Sequence, residues 1–200
     1  MKTLIQGGWV IGFDGQAHEV IKDGLVVFEG NRIEFVGTEY AAPVDKKIDA
    51  KGCLVSPGFI DTHFHSGINA SDYILNDSSK TDFFASNYLA HGGPTRAGAH
   101  AAHLKDVEIG QRFSLIHVLK SGVTTTFDIG GAGGEPERYV DMIDQVGIRC
   151  AAGPSYKNVS FFHDQEGRLE YDWDDERGSH GLKAAISFAK KFNGACSGRV

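Results

Sequence analysis

The sequence predicts an α/β protein in which a small antiparallel β unit precedes three successive βα repeats. Three observations predict it. Residues 1 to about 56 carry short apolar runs broken by Asp14-Gly15, Asp23-Gly24 and Gly30-Asn31, which punctuate a chain as tight turns do. From Pro57 onward the apolar spacing switches between strand-like runs and stripes near the 3.6-residue helical period. Gly122, Gly147 and Gly194 each follow a helical stretch, where glycine commonly ends a helix.

The elements follow in order. Leu25 to Phe28 and Arg32 to Val36 flank Gly30-Asn31 and read as a hairpin, since glycine and asparagine tolerate positive φ. Lys47 to Ala50 and Cys53 to Val55 add two short strands. Gly58 to His63 begins the second rhythm as a strand. A polar, small-residue stretch runs from about Ser66 to Lys105. Asp106 then suits the cap of a helix striped by Ile109, Phe113, Ile116 and Leu119. Val123 to Phe127 is β-branched and strand-like. Pro136 can open a helix at its first position, with Tyr139, Val140, Ile143 and Val146 as its apolar face. Ile148 to Ala152 is the next strand. Leu182, Ile186, Ala189 and Phe192 stripe a third helix. Strands joined by helical crossovers run parallel. Three such units suit the first part of a (β/α)₈ TIM-type barrel, or a small doubly wound sheet as the alternative. A closed barrel takes ~250 residues and only ~140 follow Pro57, so on this reading the barrel is incomplete in the chain. The domain boundary falls between residues 1–56 and 57–200.

Composition excludes several function classes. Of 200 residues 41% are hydrophobic and 23% charged, enough apolar material for a sizeable core. The net charge of -6 is spread along the chain without a Lys/Arg run. Nucleic acid and anionic membranes are therefore not expected partners. No apolar stretch is long enough to span a bilayer. Three cysteines, far apart and odd in number, argue against a disulfide framework and for the cytoplasm.

The chemistry concentrates in Ser56 to Gly67. Pro57-Gly58 turns the chain into the strand, and residues i and i+2 of a strand share a face. His63 and His65 therefore present two imidazoles side by side, at the carboxyl end of the first parallel strand. A bare His-x-His is a common accident, but this one ends an apolar strand after Pro-Gly, with Asp61 two residues ahead. Neutral imidazole suits zinc, iron and related metals. Asn69 and Asp72 follow closely and either line a pocket or form turns. His91, His100 and His103 fall in the segment after the first strand, where a loop residue can touch substrate or merely be solvated. His117 reads as structural; His163 and His180 read as rim residues between the third strand and its helix. Asp128 either orients a metal ligand or caps the glycines Gly130 to Gly134. Those glycines could cradle an anion, though no P-loop follows. Phe83, Phe84 and Tyr88 wall a pocket or anchor the loop. Trp173 among acidic residues reads as surface.

Pro57 to His65 resembles the strand-one signature of the amidohydrolase superfamily of metal-dependent hydrolases. Ser121 to Asp128 resembles its second barrel strand. Val146 to Arg149 resembles the start of the third, as in the branch of cytosine and guanine deaminases and triazine hydrolases. The region before Pro57 resembles that family's β-sandwich lobe. The resemblance implies that His63 and His65 are metal ligands for one divalent metal, zinc first and iron second. It implies metal-activated water attacking a carbon–nitrogen bond other than a peptide bond in a cyclic or heteroaromatic small molecule. Deamination is the leading outcome. Chloride displacement and amide, carbamate or urea hydrolysis use the same water, and a non-catalytic barrel homologue used in assembly is the alternative from another class. Substrate contacts are open, with Asn69 and His100 as candidates. The remaining ligands and the proton-transfer groups of this branch lie on later strands, beyond residue 200, so the chain alone is expected to be inactive. The full-length protein is expected to be a homo-oligomer.

Overall fold

The computed structural model describes residues 1–67, 107–132, 135–164, 166 and 168–200. Asn69, Asp72, Phe83, Phe84, Tyr88, His91, His100, His103 and the Asp106 cap lie outside the described residues. The chain divides into two compact units, Met1–Gly58 and Phe59–Val200.

The first unit holds seven strands: β1 (Lys2–Gln6), β2 (Trp9–Phe13), β3 (His18–Lys22), β4 (Leu25–Glu29), β5 (Arg32–Gly37), β6 (Lys46–Asp49) and β7 (Leu54–Val55). They form two sheets, ordered β5-β4-β1-β6 and β3-β2-β7. The β4–β5 hairpin forms as the sequence predicts, turning at Gly30 with φ of 59°. The unit is not purely antiparallel: β6 pairs with β1 and β7 with β2 in parallel. Neither of these short strands follows its partner through a tight turn, so nothing local forces the antiparallel sense. Leu4, Leu25 and Val27 are its buried core, with Phe35, Tyr40 and Val44 packed on them. Gly8 has φ of 74°, and a Cβ there would collide with the Ala50 and Cys53 carbonyls.

The second unit is built on a parallel sheet ordered β10-β9-β8. Its strands are β8 (Phe59–Phe64), β9 (Val123–Ile129) and β10 (Arg149–Gly153). Helix α1 (Val107–Lys120) precedes β9, and α2 (Pro136–Val146) precedes β10. Pro136 opens α2, and Gly147 at φ 81° closes it. A hairpin follows, β11 (Val159–His163) and β12 (Leu169–Trp173), then α3 (Asp175–Phe192). The Asp174 carboxylate caps α3 by accepting the Arg177 N–H at 2.8 Å. At the chain's end the Arg199 carbonyl accepts the Cys150 N–H at 2.7 Å, occupying part of the outer edge of β10.

The helices cover one face of this sheet. Phe64, Leu115, Tyr139, Val140, Met142, Ile143, Ile148, Cys150 and Phe188 form its core. Each of the large ones contributes roughly 1.5–3 kcal/mol of burial free energy. The α2 stripe lies inward as its periodicity predicts. The α1 stripe does not: Ile109, Phe113 and Ile116 are exposed, while Leu115 is fully buried and Val118 and Leu119 pack on the core. Apolar residues occupy both sides of α1, so period alone cannot choose its inner face. In α3, Phe188 is buried and Phe192 packs on the core, whereas Leu182 and Ile186 face outward. Among the described residues no helix is long and apolar enough to cross a membrane.

Two irregularities separate β8 from β9. Phe59 pairs with Val123 but Ile60 with Thr125; Asp61 pairs with Thr126 but Phe64 with Asp128. The first offset adds a residue to β9 and the second adds one to β8, so they cancel. Paired residues share a face, so only Ile60 and Asp61 are turned from plain alternation. Phe64 goes to the helix side with Thr126 and Asp128, all three buried. The opposite face carries Phe127 and Ile129, both exposed.

Candidate functional site

The carboxyl end of β8 brings His63 and His65 together. Their Nε2 atoms stand 3.0 Å apart, and the rings meet edge to face with centroids 4.9 Å apart. His63 is exposed and His65 half-buried. Both leave the strand on the side opposite Phe64. The neighbouring strand fixes the second ring: His65 Nδ1 lies 3.2 Å from the Ile129 carbonyl oxygen. A carbonyl only accepts, so in neutral His65 the proton sits on Nδ1 and the Nε2 lone pair is free. His63 Nε2–H is then the donor to that lone pair. The Asp61 carboxylate accepts the His63 N–H at 3.1 Å and shapes the backbone before the pair.

Behind the pair, on the helix side, lies a buried polar cluster. Ser66 follows His65 and is wholly buried. Its N–H donates to Asp128 Oδ1 at 3.1 Å. The Tyr139 hydroxyl, from α2, donates to Asp128 Oδ2. Gln111, from α1, donates Nε2–H to the Gly131 carbonyl at 2.8 Å and to Ser66 Oγ at 3.4 Å. Gly131 lies against the Asp128 carboxylate, where a Cβ would collide with it and with the Tyr139 hydroxyl. Burial pushes the Tyr139 phenol far above its ordinary range, so it remains a donor. Burial likewise raises the Cys150 thiol, whose Sγ lies 3.8 Å from that hydroxyl.

These contacts separate the sequence candidates. His63 and His65 converge. Asp128 lies against Gly131 and accepts the N–H of Ser66, the residue after His65. The space at Gly131 is filled by the protein's own carboxylate, which removes that glycine from any anion cradle; Gly133 and Gly134 are outside the described residues. His117 stacks on Phe113 with centroids 5.9 Å apart, on α1. His180 lies within α3 and is exposed, not in the connection before it. Trp173 is exposed, as expected, but ends β12. Sequence reasoning missed Ser66, Gln111 and the polar role of Tyr139. A tyrosine in an otherwise apolar stripe was the available signal, because a buried hydroxyl needs a partner. Among the described residues no group of three or more His, Cys, Asp or Glu side chains is placed to hold a metal ion.

The histidine pair stands at the carboxyl end of one strand of a parallel sheet, and comparison with known proteins bears on that fold. No family model matches the chain. The 5'-deoxyadenosine deaminase of Methanococcoides burtonii is 30% identical over 197 residues, 98% of this chain and 40% of that protein. The E. coli guanine deaminase structure superposes with a TM-score of 0.61 over 100% of this chain and 44% of that one, at 17% identity. The atrazine chlorohydrolase of Arthrobacter aurescens, complexed with zinc, gives a TM-score of 0.52 over 82% of this chain and 38% of that one, at 21% identity. The two structures show likeness of fold. The relatives are deaminases of the amidohydrolase superfamily, and the two structures share its fold. The chain spans about two fifths of the length of the curated relative.

Proposed function

We propose that this chain carries the strand-one half of a metal centre in an aminohydrolase, and that His63 and His65 are two of its ligands. The observation that carries the reading is the 3.0 Å approach of the two Nε2 atoms at the carboxyl end of β8. Two imidazoles on one tetrahedral zinc, at ~2.0–2.1 Å each, stand ~3.3 Å apart, so the pair fits a shared cation. The Nδ1–H of His65 is already committed to a backbone carbonyl, the outer hydrogen bond that metal-binding histidines normally make. Zinc is the first choice and iron the second.

A bound divalent cation supplies Lewis-acid chemistry that activates water near neutral pH. The chain's own residues do the holding. With the His63 proton moved from Nε2 to Nδ1, His63 and His65 both turn an Nε2 lone pair to the same side of the sheet. Ile129 fixes the ring of His65, and Asp61 fixes the backbone of His63. Phe127 and Ile129 give the same face an apolar floor suited to a heteroaromatic ring. The relative named a 5'-deoxyadenosine deaminase narrows the substrate to an amino-substituted heteroaromatic ring, with loss of ammonia as the reaction.

This reading includes the architecture it needs. Residues 1–56 form part of a β-sandwich lobe, and 57–200 form the first three βα units of a (β/α)₈ barrel. Further ligands and the proton-transfer group come from later strands. The full-length protein is cytoplasmic and homo-oligomeric; its three cysteines are free in this structure.

Metal analysis of the full-length protein tests the proposal. We expect about one divalent metal per chain, lost in His63→Ala/His65→Ala together with all aminohydrolase turnover. Retention of metal or of full activity by that double variant would sink the reading.

A further inference from the structure

We propose that Asp128 and Tyr139 form a positioning pair that aims the two imidazoles from behind the sheet. The inference rests on the reading of His63 and His65 as metal ligands. It begins from a feature that this reading does not use: a carboxylate only 2% exposed, on the helix side of β9, with no place on the face where the imidazoles lie.

What the carboxylate does is visible from its partners. Oδ1 takes the N–H of Ser66, the residue after His65. Oδ2 takes the Tyr139 hydroxyl, which α2 holds at 2% exposure. Gln111 reaches the same point from α1, bridging Ser66 Oγ and the Gly131 carbonyl. The absence of a side chain at Gly131 leaves the room the carboxylate occupies. Three elements thus converge around one residue, Ser66, immediately beyond the histidine pair.

β8 ends at Phe64, so His65 and Ser66 lie past the last regular pairing with β9. Two contacts from β9 replace that ladder. The Ile129 carbonyl holds the His65 ring, and the Asp128 carboxylate holds the next peptide. Consecutive residues of β9 thus hold the His65 ring and the peptide that follows it. Losing the rear grip leaves both imidazoles in place chemically but frees the peptide that sets their spacing. A cation that needs two lone pairs converging would then bind less tightly, because the protein must reorder the chain on binding.

The experiment compares zinc affinity, by competition with a chromogenic chelator, in the full-length protein and three variants. Asp128→Asn keeps the volume but gives Tyr139 and Ser66 a mismatched partner. Tyr139→Phe removes only the hydroxyl, and serves if Asp128→Asn fails to fold. Met142→Ala, a core change one helical turn from Tyr139 that removes none of the cluster's hydrogen bonds, is the control for mere destabilisation. We expect a ten- to hundredfold loss of zinc affinity in Asp128→Asn, the range for outer partners of metal ligands. A smaller loss is expected in Tyr139→Phe. Met142→Ala should lower the unfolding midpoint without moving zinc affinity. Unchanged affinity in both cluster variants, with binding still abolished in His63→Ala/His65→Ala, overturns the positioning role alone. Equal losses in Met142→Ala and the cluster variants overturn it too, by showing a general effect of stability. A parent protein that takes up no metal overturns the ligand reading and this inference together.

Discussion

At the residue scale, the site is a set of single commitments of donors and acceptors. His65 gives Nδ1–H to Ile129, Ser66 gives its amide to Asp128, and Tyr139 gives its hydroxyl to the same carboxylate. Gly131 is the tightest point, since any Cβ meets the carboxylate. Gly131→Ala should destabilise the protein by ~1–3 kcal/mol through overpacking, read as a lower urea midpoint at unchanged slope. Only part of this was legible in the sequence. His63 and His65 were, because alternation along a strand is local and the two offsets of β8 against β9 have cancelled by Phe64, which lies between them. Ser66 and Gln111 were not. Their partners stand 62 and 20 residues away in sequence, and no short pattern encodes such pairings.

At the element scale, capping and turn chemistry were the most legible features, and the inner faces of helices the least. Pro136 and Gly147 bound α2 as their backbone preferences require. In α1, apolar residues surround the axis, and tertiary packing chose Leu115 over Ile109 and Phe113. The β11–β12 hairpin was readable in principle: Leu169, Tyr171 and Trp173 alternate with Glu170 and Asp172. The acidic residues around Trp173 drew the reading toward plain surface instead. At the start of α3 the Asp174 side chain satisfies the Arg177 N–H. Asp174→Ala should cost ~1 kcal/mol, measurable as a lower thermal midpoint with metal content unaffected.

At the scale of the whole molecule, the described helices cover one face of the parallel sheet, and the other face carries exposed apolar side chains among the described residues. Phe59, Ile60, Phe127 and Ile129 are all exposed, though parallel sheets are normally buried on both sides. The α/β class was legible from the alternation of periods. How the sheet's other face is covered was not, because that depends on chain pairings no local pattern reports. We expect residues 1–200 alone to show no metal-dependent turnover and to self-associate through these exposed apolar side chains. A sharp monomer peak on gel filtration, or measurable turnover by the fragment, would contradict this.

The cancelling offsets between β8 and β9 also bear on how the gene can vary. A substitution at Thr62 or Thr124 changes a side chain and leaves the pairing alone. Losing either codon leaves one offset without its counterpart, and one end of the strand pair must then turn over. For β8 that is either the end at Phe59 or the end that carries the histidines. Lineages of this protein should therefore tolerate exchange of residue types across both strands while keeping their lengths fixed. Where one strand does gain or lose a residue, its neighbour should change by one as well.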